Sequence, residues 1–496
     1  MKKLIVTVFL LTFLGNSGCK EFLTEVPTST YSVSGGYKTP TDFKDAIMGA
    51  YAPLQNIFGN GISWFFALTS RCDDLRLPTS TAAYLDGIEN FSDGDNNALT
   101  LAVWEYYYQI INRTSTILEL IDGVEFTDTD LKTHIKGEAH ALRAYAYWSL
   151  GWQFGGVPIV LNTITAEDAR GLQRSTLEET FAQATDDYNK AIGFLPEEWG
   201  PSDRGRITKY AAQGMLARLH MFRSEFSSAI PLLKSIIMSD KYQLEPDYKN
   251  CFDNAFDNGR ERVWEVQFMG EQSGEGSTFQ SNFIGNILPI TFTEDGYLEH
   301  HGNSGSLATD SLYNAYEPGD LRRDISIHIG SINQQNNIDK VSKRVIKWAH
   351  DSYRTNIRND IAGNLPILRY TDVKMMYAEA LNEMGYVQDD IAFEILNEVR
   401  RRAGLQKLTS LDLPTQQDFR EAIIRERRVE FAFEGMRWRD LIRWGMAEKV
   451  MNMHFSLPQQ GSGFYSMKPH QKIFAIPFEV LNRYDNESIM WQNPGY

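Results

Sequence analysis

Apolar residues recur along this chain at helical spacing. After Asp372, the positions Val373, Met376, Tyr377, Ala380, Leu381 and Met384 follow i, i+3, i+4, i+7, i+8 and i+11, and Gly385 supplies a stop. A second helix is predicted from about Asp390 to Ala403, with Ile391, Ile395, Leu396 and Val399 on one face and Gly404 after it. A similar pair runs from Thr208 to about Met238, with Ala217 and His220 on its first helix and Ala229, Leu233 and Ile236 on its second. Further pairs join Gly137–Gln153 to Thr176–Leu195 and Asp42–Ile57 to Ala102–Ile121.

The Asp372–Leu405 pair is 34 residues long (405 − 371), the period of a tetratricopeptide unit. Two antiparallel helices of that kind cannot bury their apolar faces alone and need neighbours to stack on. The expectation is therefore an all-α dominated fold of four tetratricopeptide-type helix pairs. Irregular stretches at about 58–100 and 241–366, rich in Gly, Asn, Ser and aromatic residues, interrupt them. Loops this long inside a compact protein usually carry function, so the helices read as scaffold and the insertions as the site.

The N-terminus changes the picture. Lys2 and Lys3 precede an apolar run from Leu4 to Leu14, and small residues lead to Cys19, the layout of a secretory signal over residues 1–18. The run is too short to span a bilayer. Ser17-Gly18-Cys19 resembles a bacterial lipoprotein signal, in which the thiol is acylated and becomes the new N-terminus; Asn16 stands where that signal usually has an aliphatic residue. The alternative is a soluble periplasmic chain with Cys19 unmodified. No linker divides residues 19–496, so they read as one domain, with an N-terminal part to about 330 and a C-terminal part from about 331.

Only Cys72 and Cys251 remain after Cys19, which allows at most one disulfide and leaves stability to the apolar core. The formal charge of −15 becomes −17 once Lys2 and Lys3 are removed. A nucleic-acid partner, which requires a basic face, is not expected.

Several strings are similar to those of one family. Cys19-Lys-Glu-Phe-Leu-Thr-Glu-Val-Pro27, Gly137-Glu-Ala-His-Ala-Leu-Arg-Ala-Tyr145, Phe154-Gly-Gly-Val-Pro158, Leu368 to Glu383, Arg427 to Gly445 and Gln492-Asn-Pro-Gly-Tyr496 stand in the order seen in SusD/RagB lipoproteins, which this chain resembles over nearly all of its mature length. The resemblance implies a surface lipoprotein, anchored in the outer membrane through Cys19 and facing the exterior. It would capture a nutrient, most often a glycan and in some members a peptide, for a SusC-like TonB-dependent barrel.

Most of these strings read as scaffold. Glu426, Arg427, Arg428, Glu430 and Glu434 are expected to pair along one helix, Glu138 with Arg143 as an internal polar pair, and Trp438 and Trp444 to fill gaps. Sugar rings stack on exposed aromatic faces flanked by polar side chains. Trp64, Phe65, Arg71, Asp73, Asp74, Arg76 and Tyr84 gather such groups in the first insertion and are the candidate ligand-binding residues, with core packing the alternative for Trp64 and Phe65. Phe279, Phe283, Tyr297 and Trp348 are further candidates; Trp104 reads as packing.

No catalytic residue, metal site or cofactor is expected. HExxH, Gly-x-Ser-x-Gly and a Walker loop are missing, and Gly59-Asn-Gly61 stops short of GxGxxG. His300-His301 with Glu294 and Glu299 reads as a solvated loop. A secreted glycoside hydrolase is the alternative of a different class.

Overall fold

The computed structural model describes residues 36–59, 63–77, 83–270, 273–284, 293–296, 298–300, 306–333, 337–350, 360–457, 464–484 and 486–496. Cys19 and the signal segment, Tyr297 and His301 lie outside the described residues.

All four helix pairs form. They comprise α1 (Pro40–Phe58) with α2 (Ala98–Leu120), α3 (Thr129–Phe154) with α4 (Leu177–Phe194), α5 (Lys209–Phe222) with α6 (Phe226–Met238), and α7 (Tyr370–Met384) with α8 (Ile391–Arg402). Their starts are chemically marked. Thr39 with Asp42 and Thr176 with Glu179 form capping boxes, while Asn97, Thr208 and Asp390 accept amide hydrogens of the first turn. Each helix packs on the next, α1 through α8, and α6 meets α7 directly although the second insertion separates them in sequence. The insertion is thus extruded from a continuous superhelix of stacked pairs.

The helix α3 is the axis of the core. From Gly137 to Phe154 every residue is buried, because α2 covers one side and α4 the other. Polar side chains on it find partners on separate elements. Arg206 Nε donates to Glu138 Oε1 at 2.7 Å, and Arg143 is paired with Asp187 of α4. Glu138 and Arg143 are therefore internal, as expected, but not partners of each other. They point to different neighbours.

The same correction holds for the Arg427–Gly445 string. The helix Gln416–Glu430 is a hub whose charges reach other elements: Arg427 bonds Asp372 and Asp440, Arg428 bonds Asp73 and Asp74, and Glu430 receives Arg322, Arg369 and Arg402. Trp438 is buried, and Trp444 Nε1 donates to Glu379.

The second insertion is not irregular throughout. With β1 (Leu75–Arg76) from the first insertion, it builds a five-stranded sheet of order β1-β4-β6-β5-β3, where β3 is Leu298–His300, β4 Leu307–Ala308, β5 Ile327–Asn333 and β6 Ile338–Val345. The strand β3 runs parallel to β5 and the other pairings are antiparallel. Separately, β2 (Arg262–Val266) pairs antiparallel with β7 (Leu365–Arg369) across the mouth of the insertion. Three of these strands, β1, β3 and β4, have only two or three residues, too few to show a two-residue alternation in sequence. Cys72 and Cys251 are both free and buried, and burial pushes their thiols up.

Candidate ligand-binding cleft

Five of the seven candidate side chains from the first insertion are interior. Ser63 caps a short helix, Trp64–Ser70, that turns Trp64 and Phe65 inward. Trp64 Nε1 donates to Gln153 Oε1 at 2.6 Å, and its ring lies 4.9 Å from that of Phe474. Phe65 packs edge-on against Phe279, Phe283 and Trp348, so these three candidates of the second insertion are core residues as well.

Arg71 is fully buried between the rings of Phe91 and Phe474, with its charge met by Asp93 at 2.7 Å. Asp73 receives Arg437 at 2.8 Å and Arg428 at 2.9 Å, while Asp74 receives Arg428 at 2.7 Å. Burial acts to raise the pKa of Asp73, but the two guanidinium groups outweigh it and hold the carboxyl well below its usual range. Without accessible surface, Trp64, Phe65, Arg71, Asp73 and Asp74 serve packing and ion pairing in this structure. Arg76 and Tyr84 are half-buried and retain exposed surface. The partners of Asp73 and Asp74 stand more than 350 positions away (428 − 74 = 354), beyond any sequence pattern.

An open depression lies elsewhere. It has a volume of about 660 Å³ and sits between α2, the segment 158–172 and the turn Val480–Tyr484. Trp104, buried as the sequence predicts, stacks on Tyr108 with centroids 5.3 Å apart and planes 30° apart. Tyr108 in turn donates its hydroxyl to Pro158 O at 2.7 Å, which leaves ring surface rather than the hydroxyl for a ligand. Around this ring stand Gln109, Asn112, Asn162, Thr163 and Tyr484. Arg483 and Glu105 close one rim as an exposed ion pair at 2.6 Å.

The opposite wall is held from inside. Tyr147 donates its hydroxyl to Val160 O at 2.9 Å and accepts from Val160 N at 2.7 Å, and Ser115 Oγ donates to the same carbonyl. Gly156 lets the turn press on Ser175: a Cβ there would lie 2.0 Å from the Ser175 carbonyl oxygen. The C-terminal string completes the frame, since Asn493 Nδ2 donates to Phe154 O and Phe474 O while its Oδ1 accepts from Arg174 Nη2 at 2.6 Å. The Phe154–Pro158 and Gln492–Tyr496 strings are thus two sides of one joint.

Chemically, the cleft offers a fixed aromatic face, amides, hydroxyls and one carboxylate–guanidinium pair. Such a lining can stack a sugar ring and bond its hydroxyls. Among the described residues no group of three His, Cys, Asp or Glu is arranged to hold a metal ion. Sequence reasoning missed the cleft, although Glu105, Gln109, Asn112 and Thr116 form a polar stripe at i, i+4, i+7 and i+11 on a helix otherwise read as apolar.

Comparison with known proteins gives a consistent result. Residues 324–496 match the SusD family, and residues 38–221 match a family described as starch-binding, associating with outer membrane. The chain belongs to the SusD/RagB family. It is 26% identical to SusD-like protein P2 of Formosa agariphila over the full length of both chains. A SusD-like protein of Bacteroides ovatus is 25% identical over 70% of this chain and 66% of its own. Among solved structures, a laminarin binding SusD-like protein superposes with a TM-score of 0.77 at 23% identity, covering 93% of this chain and all of its own. Surface glycan-binding protein A of Bacteroides thetaiotaomicron, in complex with laminarihexaose, gives 0.74 at 20%, covering 92% of this chain and all of its own. These likenesses establish the SusD fold, with its tetratricopeptide-like superhelix.

Proposed function

We propose that this SusD family protein captures a carbohydrate at the outer membrane and passes it, chemically unchanged, to a SusC-like TonB-dependent barrel. The observation that carries this reading is the open cleft beside Tyr108, where a ring held from below by Trp104 faces amide and hydroxyl groups. The laminarin and laminarihexaose named with two structural neighbours favour a glycan over a peptide. The outer-membrane description of the family matching residues 38–221 favours the location, and Cys19 would supply the lipid that fixes the chain there. Among the described residues no helix is long and apolar enough to cross a membrane, so attachment through an acylated Cys19 suits the fold.

The test is calorimetric titration of the mature protein with laminarihexaose and other oligosaccharides beside a peptide panel, with chromatography of the ligand before and after. Saturable heat with a glycan and an unchanged chromatogram is expected. Heat with peptides alone would replace the glycan, and appearance of shortened products would replace capture with hydrolysis.

A further inference from the structure

A second, smaller cavity lies where the Trp64–Ser70 helix, α3, α5 and the segment 434–439 converge. Its volume is about 60 Å³, and Trp64, Tyr145, Ser149, Gln153, Arg218 and Arg439 are among the residues on its wall. By volume this is room for about two waters, or for one halide-sized ion and a water.

Arg439 is the group that makes the cavity unusual. The residue is 8% exposed, and its Nη2 donates to the Met436 sulfur at 2.9 Å. The carboxylates nearby are taken. Asp372 is bonded by Arg218 and Arg427, Asp440 by Arg427 and Arg443, and Glu379 by Arg443. Glu434, on the cavity wall, accepts from Lys347 and Arg369. Among the described residues Arg439 is thus the guanidinium of this cluster with no carboxylate within ion-pair distance, although Asp440 and Asp372 attract it from farther off.

An uncompensated buried charge is costly and is normally paired or neutralised. Burial and the neighbouring Arg218 push the Arg439 guanidinium down to about 9. A guanidinium resists deprotonation, so a bound anion is the cheaper remedy.

We infer that this cavity is a binding site for a small monovalent anion of halide size, held by Arg439 with Arg218 behind it and the amide and hydroxyl of Gln153 and Ser149 alongside. The ion would join the segment carrying Arg439 to α3 and α5, and so tie the C-terminal hub to the first helix pairs. It is a site separate from the surface cleft.

The experiment uses the full mature chain in halide-free buffer, with bromide or chloride added against gluconate at constant ionic strength. A saturable rise in Tm of about 2 °C or more is expected with either halide and none with gluconate, which is too large for the cavity. Diffraction from a crystal grown in bromide should place an anomalous peak between Arg439 and Ser149. The R439Q variant should lose the halide response while R439K keeps it. Equal stability in halide and gluconate, or water-like density without an anomalous peak, would overturn the inference, and the bromide measurement stands even if R439Q does not fold.

Discussion

Arg143 and Asp187 meet fork to fork between α3 and α4, with Nε to Oδ2 and Nη2 to Oδ1 both at 2.8 Å. Both are buried, and His140 Nδ1 lies 2.6 Å from the same Asp187 Oδ1. Arg143 Nη1 also reaches Ser115 Oγ, so the pair ties the second helix pair to the wall of the surface cleft.

Breaking that pair should be expensive. Burial opposes ionisation of Asp187, but the bonds from His140 and Arg143 prevail and its pKa is lowered. A carboxyl depressed in the folded state contributes stability above its unfolded pKa and loses it as pH falls through the folded one. Asp187→Asn should therefore cost about 3 to 5 kcal/mol at pH 7, measured by urea unfolding, with the gap to the parent narrowing below about pH 4.

Glu89 should give a pH dependence of opposite sign. Its carboxylate accepts from Leu77 N at 2.9 Å, and burial, helped by the nearby charge of Asp86 and opposed by Arg76, pushes its pKa up to about 8. A carboxyl raised in the folded state stabilises fully below the unfolded value and loses that contribution as pH rises through the folded one. Between about pH 4.5 and 8 the parent should lose stability, by at most about 4 to 5 kcal/mol, relative to Glu89→Gln. Thermal unfolding of both proteins across that window checks it; parallel curves would refute the assignment.

In the surface cleft, ring and support should separate. Tyr108→Ala should weaken glycan binding about tenfold by calorimetry, the size expected for one lost stacking contact. Asn112→Ala, at an exposed position, should reduce affinity with little change in Tm. Trp104→Ala removes a buried indole and should cost about 3 to 5 kcal/mol of stability.

The joint at the cleft wall should be sensitive to one methyl group. At Gly156 an alanine Cβ would collide with the Ser175 carbonyl, so Gly156→Ala should destabilise by more than about 3 kcal/mol. Asn493→Ala would take the side-chain donor from Phe474 O and leave Phe154 O with Arg174 Nη2 alone, and should lower Tm through unsatisfied buried carbonyl groups rather than a clash.

The sequence by itself determined the scaffold. Apolar spacing along α5 to α8, Thr208 and Asp390 at the starts of α5 and α8 and Gly404 after α8 are local signals, and each is decided by residues within a few positions of one another. The ordered strings from Gly137 to Tyr496 also sufficed to name the family. Tertiary structure decided what the polar residues do. Asp73 looks like a loop acid until Arg437 closes on it, and Arg143 looks like the partner of Glu138 until Asp187 and Arg206 divide them. The cleft is similar: Tyr108, Thr163 and Tyr484 are far apart in the chain, and only the packing of α2 against the turn framed by Asn493 brings them around one space. Burial and charge pairing depend on distance in space, and a sequence records distance along the chain.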